Sequence, residues 1–301
     1  MITAHADNEP RPHSLRPRPQ QSSTVLRILL GAQLRRLREA RQITLEDAGH
    51  AIRASHSKIS RMELGRVGFR PRDVADLLSL YGVTDEADRD GLLTLVAQAN
   101  APGWWHNYSD VLPSWFETYV GLEGAATSIR NYEVQFVPGL LQTEDYARAV
   151  VGLGFPDGPA DEVERRVRLR MARRQILDRP DAPHLWVLID EAVLRRPLGG
   201  PEVMRKQVRR LVEDANRPNV TVQVIPFSVG GHSAAGGPFS VLRFDEPDLP
   251  DVIYLEQLTS SVYLDKQEDS DSYLAVMERL CIEASSVEES RDFLLDLAAD
   301  I

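Results

Sequence analysis

From residue 24 to residue 41 the apolar positions Leu26, Leu30, Leu34 and Leu37 recur at spacings of four, four and three. That period places them on one stripe of a helix, with Arg35, Arg36, Arg38 and Arg41 largely off it. Thr44 follows as an N-cap with Asp47 at the third helical position, a shortened capping box because aspartate reaches less far than glutamate. The pattern predicts a second helix from Leu45 to about Ile52. Ser55 caps a third by accepting from the backbone amide of Ser57 or Lys58; Ile59 and Met62 face inward, and Gly65 closes it in the left-handed conformation. Pro71 opens a fourth helix with Val74, Leu77, Leu78 and Tyr81 inside, and Leu92, Leu95, Val96 and Ala99 mark a fifth.

Farther along, the period shortens to two. "HLWVLI" (184–189) and "VTVQVIPF" (220–227) read as strands, with a helix from Pro201 to Ala215 between them through Met204, Val208 and Leu211. Strand, helix, strand implies a parallel pair. "PFSVLRF", "VIYLE" and "SVYLD" follow at short intervals and extend the sheet antiparallel, before two closing helices from about Ser270. The expected fold is multidomain, an all-α helix-turn-helix domain followed by an α/β or α+β domain with a mixed sheet. The expected boundaries are a disordered tail (1–23), the helical domain (24–100), an aromatic-rich connector (101–123) and the α/β domain (124–301).

Composition narrows the function classes. At 301 residues and 43% hydrophobic content the chain can bury two ordinary cores. It holds no apolar run long enough to span a bilayer, and its first twenty residues lack the apolar segment of a secretory signal. One cysteine, Cys281, cannot form an internal disulfide, and no Cys/His set has zinc spacing, which fits a metal-free, cofactor-free protein of a reducing cytoplasm. The net charge of -10 hides an asymmetry: residues 1–81 carry +6 and residues 82–301 carry -16. A basic front on an acidic body suggests one module for a polyanion and another for something else.

The second and third helices, joined at Arg53-Ala54, make a helix-turn-helix, whose second member enters the major groove and offers its first residues to base edges. Ser55 and Ser57 are small enough for close approach, Lys58 or Ser55 reaches phosphate, and Arg61 is long enough for a bidentate guanine contact. Residues 44–83, and above all the Ser-Lys-Ile-Ser-Arg-Met-Glu-x-Gly core from Ser57 to Gly65, resemble the xenobiotic-response-element family of helix-turn-helix regulators, related to phage repressors. The resemblance implies that Ser55, His56, Ser57, Ser60 and Arg61 read bases or adjacent phosphates, and that Glu63 supports the fold. With Thr44 and Lys58 these are the candidate contacts to double-stranded DNA. The family turn commonly carries glycine where this chain has Arg53, so either the arginine is left-handed or the turn is built differently.

In the acidic body, Trp104, Trp105 and Trp115 lie within twelve residues, with Tyr108, Phe116 and Tyr119. They either line an aromatic pocket or stitch and pack the domains, the second being the commoner use. Trp105, Trp115, Tyr119 and His232 are the candidate ligand contacts. "GGHSAAGG" (230–237) begins like a nucleophile elbow, but Ala235 stands where its last glycine belongs and the stretch reads as a loop. Asp190-Glu191 reads as a cap for the next helical turn before it reads as a catalytic dyad. No catalytic residue is assigned and an enzyme is not expected. The six arginines from Arg165 to Arg174 are a second phosphate stripe or, preferably, a solvated helix surface neutralised by Glu162, Glu164 and other acids of the domain. Phrases such as "VPGLLQTEDYARAV" (137–150) and "VTVQVIPFSVGGHSAAGGPFSVLRF" (220–244) resemble the C-terminal domain of actinobacterial WhiJ-like regulators. That resemblance implies a developmental or antibiotic-related transcription regulator, often antitoxin-like and paired with a small protein encoded nearby. Two readings follow: a homodimeric regulator that senses a small-molecule effector or partner protein, or an antitoxin-like protein that sequesters the partner and autoregulates its operon.

Overall fold

A computed structural model describes residues 22–246 and 249–301. The chain divides into two compact units after Gly103, so the aromatic segment falls within the second. The expected tail lies outside the described residues except at its end, where Ser22 already caps the first helix by accepting from the Thr24 amide.

The first unit is five helices: α1 (Ser23–Ala40), α2 (Leu45–Ala51), α3 (His56–Glu63), α4 (Pro71–Leu80) and α5 (Glu86–Ala99). Leu26, Leu30, Leu34 and Leu37 of α1 meet Ala48, Ile59, Met62, Val74, Leu77, Leu78, Leu92, Leu95 and Val96 in one buried cluster. Ile59 and Met62 are each 1% exposed, and burying each side chain contributes on the order of 2 kcal/mol to holding α3 down. α3 also lies very close to α1: a Cβ on Gly31 would sit 2.5 Å from the carbonyl oxygen of Met62, so only glycine fits there.

The second unit holds a six-stranded mixed sheet of order β3-β2-β1-β4-β5-β6. The strands are β1 (Ser128–Glu133), β2 (His184–Asp190), β3 (Val220–Ile225), β4 (Phe239–Arg243), β5 (Val252–Glu256) and β6 (Ser261–Leu264). β1, β2 and β3 run parallel; β4, β5 and β6 complete the sheet antiparallel, as expected from their short connections. The sequence pattern misses β1, which is nevertheless central. Its polar residues find their folded-state partners on distant strands: Asn131 donates to Ser240 Oγ at 2.6 Å, and the Arg130 guanidinium lies 5.6 Å from the centre of the Trp186 ring.

Helices α6 (Ser114–Glu123), α7 (Glu144–Gly154), α8 (Ala160–Arg174), α9 (Glu191–Arg195) and α10 (Pro201–Asp214) connect or flank the strands. The chain closes with α11 (Gln267–Glu283) and α12 (Val287–Asp300), the former starting three residues before the expected position. Met277 and Leu280 of α11 pack on the face formed by Tyr132, Leu188, Ile225, Phe239, Val241 and Ile253. Cys281 packs half-buried against that cluster, and burial raises its thiol pKa, as expected of apolar filling. Asp190 accepts from the Ala192 amide at 2.8 Å and so caps α9.

On the opposite face, Glu133 at the end of β1 has its carboxyl pushed up to about 8 by burial and by nearby Glu256, against the opposing pull of Arg170. In the unfolded chain a glutamate ionises near 4.5, so the folded state retains a proton that the unfolded state releases between those values. This group's stabilising contribution is complete below about pH 4.5 and lost as pH rises through about 8. Glu133→Gln, which stays neutral, flattens that decline, and urea titrations of parent and variant converge at the acid end, separate progressively between about pH 4.5 and pH 8 in favour of the variant, and stay apart by a constant amount above it.

Candidate nucleic-acid interface

The helix-turn-helix is assembled cap by cap. Thr44 Oγ1 accepts from the Asp47 amide at 3.1 Å and donates to the Asp47 carboxylate at 2.7 Å, starting α2. After Ile52 the chain turns at Arg53, whose φ of 53° makes it a left-handed arginine, which resolves the alternative posed by the missing turn glycine. Ser55 Oγ accepts from the Lys58 amide at 3.2 Å and starts α3. Gly65, with a φ of 64°, ends the segment. The chain there passes against the backbone of Ile28, another reason for glycine.

Charge fixes the helix from below. Glu63, on the inner side of α3, receives Arg38 Nε at 2.6 Å and Nη2 at 2.9 Å, while Arg38 Nη1 donates to the Ile43 carbonyl at 2.8 Å. Both side chains are at most a tenth exposed. Arg38 therefore belongs to the interior, a correction to its place off the apolar stripe: three of its donors find acceptors there. The bonds to Glu63 raise its pKa above the ordinary arginine value in spite of desolvation.

The residues expected to meet DNA fall into two groups. Ser55, His56, Ser57 and Arg61 are exposed at the start and along the outer side of α3, and Ser60 is half-buried beside them. Ser57 Oγ lies 3.3 Å from His56 Nε2, and Arg61 Nε reaches back 3.3 Å to the Ser57 carbonyl. Lys58 points elsewhere: its Nζ sits 2.5 Å from Asp73, a buried carboxylate of α4 that needs a counter-ion. Lys58 thus ties α3 to α4, and Thr44 is engaged in its cap. Between residues 53 and 73 the only acids are Glu63 and Asp73, and both are neutralised internally. Arg53, Arg61, Arg66 and Arg70 are exposed and form no ion pair among the described residues. Of these only Arg61 is among the expected contacts; the excess of cations over acids between residues 53 and 73 is the signal that marks the other three.

The candidate ligand contacts of the second unit do not form one site. Tyr119 of α6 lies 4.1 Å, centre to centre, from Tyr254, whose partner in register is Ser240. His232 Nε2 lies 2.9 Å from the hydroxyl of Tyr132, whose partner is Phe239. Alternation along β4 puts Phe239 and Ser240 on opposite faces, so Tyr119 and His232 are separated by the sheet. Trp105 is buried with Leu112, Val120 and Leu169, and Trp115 offers its carbonyl to Tyr263 at 2.8 Å. These aromatics pack the second unit.

Five of the six arginines on α8 are taken up internally, and the exposed Arg168 makes only a contact within its own helix. Arg165 pairs with Asp110, Arg166 with Glu162 at 2.9 Å, and Arg168 reaches the Glu164 carbonyl at 3.4 Å. Arg170 donates to Gln142 at 3.0 Å, Arg173 grips Glu123 through two bonds of 2.8 and 2.7 Å, and Arg174 donates to the Gln142 carbonyl at 2.7 Å. The expected solvated, neutralised surface describes Arg165 and Arg166; Arg173 is instead buried on Glu123, Arg170 and Arg174 turn inward to Gln142, and Glu164 pairs with Arg148 at 2.6 Å. "GGHSAAGG" is a loop between a short helical turn at 227–229 and β4. Among the described residues no His/Cys/Asp/Glu group is arranged to hold a metal, and no helix is long and apolar enough to cross a membrane.

Residues 116–296 match the family model described as a domain of unknown function, DUF5753, and residues 29–92 match one described as a helix-turn-helix domain. No curated protein and no solved structure matches the chain. The helix-turn-helix match, which runs from α1 into α5, supports DNA as a partner.

Glu63→Gln leaves the buried Arg38 guanidinium without its counter-charge and destabilises the first unit by about 3 to 5 kcal/mol. Replacing both partners by apolar residues, as in Arg38→Met with Glu63→Leu, restores most of the loss, read by thermal melts of the full-length variants.

Proposed function

Because the chain belongs to the DUF5753 family and carries a helix-turn-helix domain ahead of that region, we propose that it is a sequence-specific DNA-binding transcriptional regulator acting in the cytoplasm. The observation that carries this reading is the division of labour on α3. Ile59, Met62, Glu63 and Lys58 are spent on the fold, whereas Ser55, His56, Ser57 and Arg61 stay exposed with short polar side chains around one long fork. A helix anchored on one side and open on the other can enter a major groove without disturbing its support.

Arg61 presents five donors in a planar fork, the geometry that matches guanine O6 and N7. The serines leave room for the base edges, and His56 adds a group that can donate or accept. One such helix reads too few base pairs for useful selectivity, so the protein acts as a homodimer on paired half-sites. In this reading the second unit supplies dimerisation and receives the controlling signal, a small-molecule effector or a small partner protein.

Selection of binding sites from randomised duplexes tests the reading. The parent protein enriches a two-fold symmetric site, and Arg61→Ala relaxes preference at one base position per half-site, at a cost of roughly 1 to 3 kcal/mol. An unaltered profile for the variant removes Arg61 from base readout; no enrichment by the parent removes the reading as a whole.

A further inference from the structure

α3 is short, two turns of helix, and most of its surface is given either to the core or to small polar groups. Affinity for a duplex comes chiefly from phosphate neutralisation by Lys and Arg, and α3 itself offers little for that purpose once Lys58 is bound to Asp73. The cations that seat the helix must come from its flanks.

Accounting for each arginine near α3 separates them cleanly. Arg35 is held by Glu39 at 2.8 Å, Arg38 by Glu63, Arg41 by the Tyr81 carbonyl at 3.1 Å, and Arg89 by the Val83 carbonyl at 2.9 Å. Arg72 lies 3.9 Å from Asp76. Arg53 comes three residues before α3, and Arg66 and Arg70 come three and seven residues after it; all three are exposed and without an ion pair among the described residues.

Arg53 carries a second mark. A side chain in the left-handed region costs about 1 to 2 kcal/mol, a cost glycine avoids. Arginine at this position therefore spends stability to keep a charged side chain at the entrance to α3. Its amide donates to the His50 carbonyl at 3.1 Å, but its exposed side chain has no hydrogen bond or ion pair among the described residues, and a strained residue with an unengaged side chain points to a role outside the fold.

We propose that Arg53, Arg66 and Arg70 are phosphate contacts that clamp the duplex backbone at the leading and trailing ends of α3, fixing its register without reading sequence. The proposal rests on the reading of α3 as the groove-entering helix. It assigns to flanking arginines the electrostatic part of recognition, and to Arg61 with its serine neighbours the base-reading part.

The experiment is the salt dependence of binding, measured by fluorescence anisotropy of the full chain with a labelled duplex carrying the selected site and with one of random sequence. Arg66→Ala, Arg70→Ala and Arg53→Gly each reduce the steepness of log K against log salt by about 0.9 and weaken both duplexes by similar factors. Arg53→Gly also melts at or above the parent temperature, so its weaker binding is not a folding defect. Arg35→Ala, which removes an arginine already paired on α1, leaves the slope in place. Unchanged slopes for all three variants overturn the clamp while an effect of Arg61→Ala preserves the α3 reading. A loss confined to the selected duplex makes these arginines base readers and also overturns it, and a parent with no duplex affinity at low salt overturns both.

Discussion

The buried pair of Arg38 and Glu63 is the constraint on which the first unit depends. α3 has too few residues to hold itself in place: an isolated helix of two turns is unstable in water. Ile59 and Met62 supply attraction to the core, but apolar contacts do not specify how far a helix slides or rolls. A planar guanidinium bonded twice to one carboxylate does, because both partners must meet in one plane. The contact of Gly31 with the Met62 carbonyl region then sets the separation of α1 and α3. Attraction, orientation and distance come from different residues, and together they present the outer side of α3 in one position.

The two units use arginine for opposite ends. On α8 the six arginines turn to acids and carbonyls of their own unit, so a run that looks like a polyanion site in sequence is a scaffold in space. Around α3 the few acids are paired off below the surface, and the remaining arginines face water. Net charge would have misled in both places. The acidic total conceals a cationic headpiece, and the local density of arginine is greatest on α8, where all but Arg168 are held by acids or by Gln142.

Legibility followed the same division. The helical stripes of the first unit, the caps at Thr44 and Ser55, the stop at Gly65 and the strands from β2 onward could be read from the chain because local period and local chemistry determine them. β1 could not: Arg130, Asn131 and Glu133 interrupt its alternation, and their partners come from Trp186, Ser240 and other distant elements. The interior role of Arg38 and the diversion of Lys58 to Asp73 were hidden for the same reason, since each depends on an acid 25 or 15 residues away. The aromatic segment and His232 suggested a ligand site because a sequence shows residue type and not the face of a sheet.

The polar interior of the second unit follows a related logic. Asp214 is 1% exposed, yet it collects Arg210 at 2.9 Å, Arg174 at 3.5 Å and Arg217 at 3.6 Å. Arg173 and Glu123 make a further closed pair between α8 and α6. Burial works against the charged Arg173, but the attraction and hydrogen bonds of Glu123 outweigh it, and its pKa stands above the ordinary arginine value. Such pairs contribute little net stability compared with apolar residues of the same size, because desolvation offsets most of the Coulomb gain. What they add is discrimination. A helix shifted by one residue along the sheet would leave a buried charge unpaired, at a cost far above that of a misplaced leucine. Charges in this chain are therefore distributed by consequence: where error must be penalised they are buried in pairs, and where a partner must be met they are left open.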